Sequence, residues 1–244
     1  MAEGISLLID TTKCIACRGC QVACKQWNQR AAEKTVNHGN RQNPPDLSFN
    51  TWKLVRFSEI PRDVAPLYFF PDQCRHCLTP SCKEMADLRA GNLITIDKKT
   101  GAVIFNQKTK LKPEDFEEIR EACPYDIPRF NSGSMQMAKC TLCFNRTQEG
   151  IPPACVKTCP TGGMQFGNRQ EILDKANKRL AEVRRIYKHA LLVDPEEVRV
   201  IYLLADDPRK YYHLTKAENK PGISRKVALK QFSQPLRMFR ALAG

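Results

Sequence analysis

The hydrophobic and polar positions along this chain of 244 residues predict short strands joined by long loops. Apolar residues alternate weakly over Ile5–Asp10, which predicts a strand. A second strand is predicted over residues 198–204, because an apolar stretch there ends at the turn-forming residues 206–208. A hairpin is predicted over residues 91–107, where two short apolar stretches flank a polar turn that contains Gly101.

The clearest helical pattern begins after residue 168. Asn168 and Glu171 form a capping-box pattern, which predicts a helix from about 169 to 188. Its apolar face repeats at helical spacing and comprises Ile172, Leu173, Ala176, Leu180, Val183 and Tyr187. From Arg209 onward the chain is basic and irregular, with some amphipathic character over residues 231–242. We expect this extended tail either to lie on a partner or to lack order, because it has no core of its own.

Composition allows a folded core but also indicates much loop. Hydrophobic residues make up 42% of the chain, and there are 12 glycines and 16 prolines. No stretch of 18 apolar residues occurs, so no direct membrane span is expected. The first ten residues lack a basic segment followed by a long apolar run, so we expect no secretory signal.

Twelve cysteines and a net charge of +13 direct attention to metal binding. Disulfides are the other common use of many cysteines, but they are typical of small secreted chains. Metal clusters held by cysteine thiolates carry negative charge of their own. Three such clusters with a charge of −2 each would lower the net charge of the protein to about +7. The remaining basic charge suits an acidic partner, and no nucleic-acid-binding module is recognisable, so no nucleic acid partner is expected.

Two cysteine runs have the spacing of a ferredoxin pair. The first is C-x2-C-x2-C-x3-C at 14–24, and the second is C-x2-C-x11-C-x3-C-P at 140–160. In such pairs the last cysteine of each run binds the cluster of the other run. The rule predicts one 4Fe-4S cluster on Cys14, Cys17, Cys20 and Cys159. It predicts a second cluster on Cys24, Cys140, Cys143 and Cys155.

The remaining four cysteines make one complete set of cluster ligands, while the ligand positions of a fourth cluster hold other residues. By the same rule a third 4Fe-4S cluster takes Cys74, Cys77, Cys82 and Cys123. A fourth cluster would need cysteines at four positions that hold other residues, namely Ala86, Pro113, Phe116 and Ile119. The apolar pair and the proline predict a helix over 112–122 that fills the vacant space, the alternative being an ordinary surface helix with an apolar face.

These motifs resemble a known family. The matching segments are CIACRGCQVACKQWN at 14–28, QCRHCLTPSC at 73–82, CPYDIPRF at 123–130, KCTLCFNRTQEGIPPACVKTCPTGGMQFG at 139–167 and VIYLLADDP at 200–208. The chain resembles the iron–sulfur beta subunit of molybdenum- or tungsten-dependent formate dehydrogenases, within the electron-transfer subunits of molybdopterin oxidoreductases. The likeness covers about residues 5–215, and the cysteine runs are less specific for formate than for electron transfer.

The resemblance implies an α+β fold of two interleaved ferredoxin-like modules, rich in loops and organised around iron–sulfur clusters. The first module would comprise residues 1–65 and 136–168 and hold two clusters. The inserted module would comprise residues 66–135, with one cluster and a second site lost. Residues 169–244 would supply a C-terminal helix, a strand and a partner-binding tail.

The resemblance also implies a non-catalytic electron-transfer subunit in a soluble heterodimer from anaerobic metabolism. Electrons would pass from a molybdopterin catalytic subunit to the Cys14 cluster, then to the Cys140 cluster, and leave from the Cys74 cluster. The acceptor would be soluble, such as a multihaem cytochrome c. The expected location is the periplasm, reached by co-export with the catalytic subunit, with the cytoplasm as the alternative.

Two other functions stay open at this point. The chain could serve a different molybdopterin enzyme, such as a polysulfide, thiosulfate, sulfoxide or nitrate reductase. It could also be a zinc-stabilised interaction module without a redox role, although zinc sites usually pair two separate C-x2-C knuckles.

Several residues near the ligands have competing interpretations. Five cations could raise a cluster potential or be ordinary solvated charges: Arg18, Lys25, Arg75, Lys83 and Lys139. His76 could tune the third cluster, touch the acceptor, or simply pack. For Trp27 and Trp52, core packing is preferred to a role in electron tunnelling.

Overall fold

The computed structural model describes residues 4–36, 39, 41–61, 67–89, 91–106 and 109–217. Its strands are β1 Ile5–Asp10, β2 Leu54–Glu59, β3 Leu67–Asp72, β4 Ile94–Ile96, β5 Val103–Phe105, β6 Arg129–Asn131, β7 Gln136–Ala138, β8 Met164–Asn168, β9 Leu191–Val193 and β10 Val200–Leu204. Its helices are α1 Gly19–Trp27, α2 Ser81–Arg89, α3 Pro113–Glu121, α4 Phe144–Thr147, α5 Ala154–Thr158 and α6 Arg169–Val183.

A four-stranded sheet with the order β8-β1-β10-β9 forms the centre of the fold. Strand β1 runs parallel to β10 and antiparallel to β8. The prediction of a strand over Ile5–Asp10 is confirmed. The second predicted strand begins at Val200 rather than at residue 198, because Val198 forms an isolated bridge with Cys77 outside the sheet.

Helix α6 packs against the central sheet but is shorter than expected. The side chain of Asn168 accepts a hydrogen bond from the backbone N–H of Gln170, which caps the start of the helix. The helix ends at Val183, so the prediction of an end at 188 is wrong. Tyr187 lies beyond the end and is 43% exposed, so it does not belong to the buried face. The Arg184 guanidinium donates to the Ala190 carbonyl oxygen as the chain turns.

Three two-stranded hairpins surround the sheet: β2–β3, β4–β5 and β6–β7. The hairpin predicted within 91–107 is confirmed, since Ile94 pairs antiparallel with Phe105. Its turn needs Gly101, which has φ 74° and whose Cβ would collide with the guanidinium of Arg199.

The fold is therefore a mixed α and β structure with small sheets, while the interleaved ferredoxin-like arrangement stays a prediction. Hairpin β2–β3 spans the predicted boundary at residue 65, and β10 from the predicted C-terminal part pairs with β1. Within the described ranges no helix is long and apolar enough to cross a membrane. The tail over 218–244, including the amphipathic stretch 231–242, lies outside the described residues.

Candidate metal centres

All twelve cysteines are described, and each is a free thiol. The disulfide alternative is therefore wrong for this structure. The thiols gather into three groups of four, and each group combines cysteines from distant parts of the chain.

The first group joins the loop before α1 to the end of α5. One cavity is lined by Cys14, Cys17, Cys20 and Cys159. Helices α1 and α5 pack together, which brings the last of these cysteines to the first run. Ala16 and Arg18 have φ of 54° and 60°, and this left-handed backbone curls the loop around the cavity. Cys17 is exposed, so this group reaches the surface.

Burial and hydrogen bonding act in opposite directions on the thiols of the first group. Burial raises the pKa of Cys20 to about 11, although the nearby Lys53 ammonium opposes the shift. Burial would also raise the pKa of Cys159, but hydrogen bonds from the Thr161 hydroxyl and neighbouring backbone N–H groups lower it overall. Such donors would also stabilise a thiolate bound to metal.

The second group is wholly buried. Its cavity is lined by Cys24, Cys140, Cys143 and Cys155. The backbone N–H of Leu142 donates to the Cys140 sulfur at 3.3 Å, and the Asn28 amide contacts the Cys24 sulfur at 3.6 Å. Gln73 lines the same cavity, and its buried Nε2 has no hydrogen-bond partner among the residues that the structure describes. A buried amide donor needs an acceptor, so the cavity fits an anionic group with acceptor sulfurs.

The third group lies between β3, α2 and the segment after α3. Burial raises the pKa of the Cys77 thiol well above its usual value, and negative charge on the other three cysteines of this group raises it further, namely Cys74, Cys123 and Cys82. Burial also raises the pKa of Cys123 to about 11. The backbone N–H of His76 donates to the Cys74 sulfur at 3.3 Å. Thiols gathered so closely repel as thiolates, and bound metal cations would reverse that repulsion.

The second group lies close to both of the other groups. Negative charge on Cys155 raises the pKa of Cys20, which joins the second group to the first. Negative charge on Cys74 raises the pKa of Cys140, which joins it to the third. The first and third groups are therefore both neighbours of the second.

A single metal ion and an iron–sulfur cube need different arrangements of four cysteines. Among the described residues no three His, Cys, Asp or Glu side chains converge on one metal ion. A zinc site would place its sulfurs about 2.3 Å from one centre. A 4Fe-4S cube instead binds its four thiolates on four separate irons, so they need not converge on one point.

Three of the four positions that a fourth cluster would need form an apolar cluster. Helix α3 packs against α2, and the predicted helix over 112–122 is confirmed as Pro113–Glu121. Ala86, Phe116 and Ile119 are buried together, and the ring of Phe116 stacks on Phe130 at 4.9 Å between centroids. Pro113 is exposed and occupies the first turn.

The five predicted cations divide into two classes. Arg18, Lys25 and Lys83 are partly exposed. Lys25 pairs with Glu33 and Lys83 pairs with Asp87, so these two charges have partners within the protein. Arg75 and Lys139 are only 2% and 4% exposed, so the solvated interpretation is wrong for them. The ammonium of Lys139 donates to the Cys140 carbonyl oxygen at 3.0 Å. Burial raises the pKa of Cys82, and the charge of Lys139 opposes that rise.

The buried guanidinium of Arg75 forms an ion pair with a carboxylate and cation–π contacts with aromatic rings. Its guanidinium pairs with Asp72 at 2.8 Å, and Asp72 also pairs with Arg56 at 2.7 Å. The same guanidinium lies over the rings of Tyr202 and Tyr125 at 4.6 and 4.9 Å. This buried charge is thus compensated within the protein.

The structure excludes contact with the acceptor for His76, contradicts core packing for Trp27 and confirms core packing for Trp52. His76 is fully buried, so it cannot touch an acceptor, and its Nδ1 accepts a hydrogen bond from the Val103 N–H. Trp27 is 43% exposed beneath Arg146, so the prediction that it packs in the core is wrong. Trp52 is buried in the core as predicted.

Lys53 is a buried residue beside the cysteines that sequence reasoning missed. It lines the cavity of the second group, and its charge opposes the rise in pKa that burial causes at Cys20 of the first group. In the sequence it lies far from every cysteine, between Trp52 and Leu54. A lysine in an otherwise apolar stretch was the only signal available.

Comparisons with known proteins identify a matching iron–sulfur domain and similar proteins. Residues 65–169 match a family described as a 4Fe-4S dicluster domain. The chain is 50% identical over 210 residues to formate dehydrogenase 2 subunit beta (cytochrome c-553) of Nitratidesulfovibrio vulgaris, which covers 85% of this chain and 96% of the relative. It is 50% identical over 213 residues to formate dehydrogenase subunit beta of Megalodesulfovibrio gigas, covering 87% and 98%. It is 38% identical over 232 residues to the nitrate-inducible formate dehydrogenase iron-sulfur subunit of Escherichia coli, covering 92% and 76%.

Proposed function

Because this chain belongs to the family of formate dehydrogenase beta (iron–sulfur) subunits, we propose that its twelve cysteines hold three 4Fe-4S clusters that connect a catalytic subunit to a soluble electron acceptor. The chain is an electron-transfer subunit of formate dehydrogenase and is not catalytic on its own. The proposal concerns the number of clusters, their ligands and the partners at each end.

The observation that carries this proposal is the closure of each cysteine group by a residue from a distant segment. Cys159 lies with the first run, Cys24 lies with the second run, and Cys123 lies with Cys74 and Cys77. Three groups of four use all twelve cysteines. The proposed ligand sets are Cys14, Cys17, Cys20 and Cys159; Cys24, Cys140, Cys143 and Cys155; and Cys74, Cys77, Cys82 and Cys123.

The exposure of the three groups supports a relay from one surface to another. When bound, each cluster supplies one-electron oxidation and reduction. The protein excludes water from the middle group, whose cysteines are all buried, while Cys17 of the first group is exposed and Cys77 and Cys82 of the third are partly exposed. Electrons would enter at the Cys14 end and leave at the Cys74 end.

The catalytic partner would be a subunit with a molybdenum- or tungsten-containing molybdopterin centre. Ile15, beside Cys17, and Val22, on the following helix α1, are apolar side chains that are each 62% exposed. Exposed apolar groups next to an electron-transfer centre suit a protein interface. We therefore place the catalytic subunit of a heterodimer at this end.

The acceptor would be a soluble cytochrome c, for which a multihaem protein is our first candidate. The relative from Nitratidesulfovibrio vulgaris carries cytochrome c-553 in its name. With three clusters the net charge of +13 falls to about +7, which favours association with an acidic surface.

The interleaved modules and the cellular compartment belong to the same proposal. Strand β8 pairs with β1, which supports one module made of residues 1–65 and 136–168 around an inserted module over 66–135. We place the complex in the periplasm after co-export with the catalytic subunit, and cell fractionation against marker enzymes would detect a cytoplasmic location instead.

Anoxic purification of the chain with its natural partner tests the function. We expect about twelve irons and about twelve sulfides per chain, from three clusters of four. A copurifying molybdopterin subunit and formate-dependent reduction of a cytochrome c are also expected. About three zinc ions without iron would contradict the clusters. Activity with thiosulfate, sulfoxide or nitrate but not formate would contradict the enzyme assignment.

A further inference from the structure

The side chain of Lys53 is buried without an acidic partner. The residue is only 2% exposed and lies immediately before β2. Its ammonium donates to the carbonyl oxygen of Pro71 at 3.3 Å and to the Oε1 atom of Gln73. Both acceptors are neutral, so they satisfy hydrogen bonds but not the charge.

A buried ammonium without a counter-charge is costly in a folded protein. The nearby carboxylate of Asp72 is already held by Arg56 and Arg75. In the described part of the chain no carboxylate forms an ion pair with Lys53. The compensating negative charge must therefore come from something else beside this lysine.

Cysteine sulfurs lie beside Lys53 and would supply this negative charge when they bind metal. Lys53 lines the cavity of the second cysteine group together with Gln73. Burial alone would lower the pKa of Lys53, but negative charge on Cys155 and Cys20 outweighs burial and raises it. Thiolates that bind metal in this cavity would place negative charge beside the Lys53 side chain.

We propose that Lys53 is the built-in counter-charge of the second cluster and raises the reduction potential of that cluster. This inference rests on the proposed ligand set of Cys24, Cys140, Cys143 and Cys155. One-electron reduction adds one negative charge at this site, and no proton needs to move because the ammonium is already present. The electron comes from formate oxidation, which releases two electrons that enter the row of clusters one at a time.

The physical reason is the low polarity of the site. A fixed positive charge attracts the reduced state, which carries more negative charge, more strongly than the oxidised state. Water does not screen this attraction, because the second group and Lys53 are both buried. Lys53 thus favours the electron at the middle position of the row, between the first and third groups.

The test is an anoxic redox titration of the purified complex, followed by electron paramagnetic resonance. In Lys53→Met, we expect the equilibrium constant for reducing one cluster to fall at least tenfold, which is a shift of about 59 mV to lower potential for one electron. The matched control is Lys157→Met, since Lys157 is exposed and lies between Cys155 and Cys159. We expect its titration curve to coincide with that of the wild type.

A second variant separates charge from packing. Lys53→Arg keeps the charge, so we expect full iron content and a potential close to that of the wild type. Unchanged potentials in a fully loaded Lys53→Met protein would overturn the inference while leaving the cluster proposal intact. If Lys53→Met loses iron, Lys53→Gln takes its place in the titration. Loss of iron in all three variants would assign Lys53 to packing and also overturn the inference. Absence of iron from the wild type would instead overturn the proposed function.

Discussion

The cysteines that lie together in space are not those that are neighbours in the sequence. Cys155 lies on α5 and Cys159 directly follows the end of that helix, yet they line different cavities. Cys24 and Cys155 are far apart in sequence and share a cavity. This crossing of partners can be tested one residue at a time.

Paired substitutions should reveal which cysteines share a cluster. Removing two ligands of the same cluster should cost no more iron than removing one, because effects within one unit are not additive. We expect the iron content of Cys24→Ala with Cys155→Ala to equal that of either single variant. We expect Cys155→Ala with Cys159→Ala to lose about twice as much. Iron analysis of anoxically purified protein provides the measurement.

A substitution between Cys155 and Cys159 serves as the control. Thr158 is exposed beside Cys159, so Thr158→Ala should keep the full iron content. Equal iron loss from the Cys155/Cys159 pair and from each of its single variants would place both cysteines on one cluster and contradict the proposed sets.

At the scale of elements, helix α3 carries buried apolar side chains at positions where a fourth cluster would need cysteines. It lies where the spacing of the runs would require three ligands of a fourth cluster. Two of those positions, Phe116 and Ile119, face a cluster of buried apolar side chains that includes Ala86 and Met85. The element is thus held by apolar burial instead of by metal.

The contribution of this packing can be measured by truncating Phe116. We expect Phe116→Ala to lower the free energy of unfolding by about 3–5 kcal/mol, because it removes a buried ring stacked on Phe130. In a chain of this size that corresponds to a fall in thermal midpoint of roughly 6–20 °C. Thermal unfolding under anoxic conditions, monitored by circular dichroism, gives the midpoint.

Glu117 provides a control on the same helix. It is exposed, so Glu117→Ala should change the free energy of unfolding by less than about 0.5 kcal/mol. Both variants should keep their iron. A Phe116→Ala protein as stable as Glu117→Ala would mean that α3 is only a surface helix.

At the scale of the whole molecule, the proposed cluster sites form part of the core. Four of the cysteines belong to one of the larger apolar clusters, namely Cys24, Cys74, Cys123 and Cys140. Cys20 and Cys155 belong to another. The cluster of side chains around α3 has only Cys82 at its margin. Metal binding and folding should therefore be coupled most strongly away from α3.

Removal of iron should loosen the molecule unevenly. After chelation under reducing conditions, we expect hydrogen exchange to accelerate most over residues 14–28 and 140–159, which carry eight of the cysteines. Exchange in α3 should accelerate least, because its contacts are apolar side chains. Mass spectrometry of exchanged peptides measures both. Loss of protection that is uniform, or that begins in α3, would contradict this coupling.

Local sequence patterns by themselves determined several secondary-structure elements and the grouping of the cysteines. The grouping could be inferred because spacing along the chain limits which thiols can face a common centre. The cysteine runs, strand β1, the β4–β5 hairpin and helix α3 could all be inferred from the residues themselves. The end of α6 could not, because the turn after Val183 uses a hydrogen bond from Arg184 to Ala190 that no helical periodicity encodes. Only the tertiary structure buries Lys53 beside the second group and leaves Trp27 exposed. Burial and charge neighbours depend on segments that meet in space, so they are decided when the chain folds.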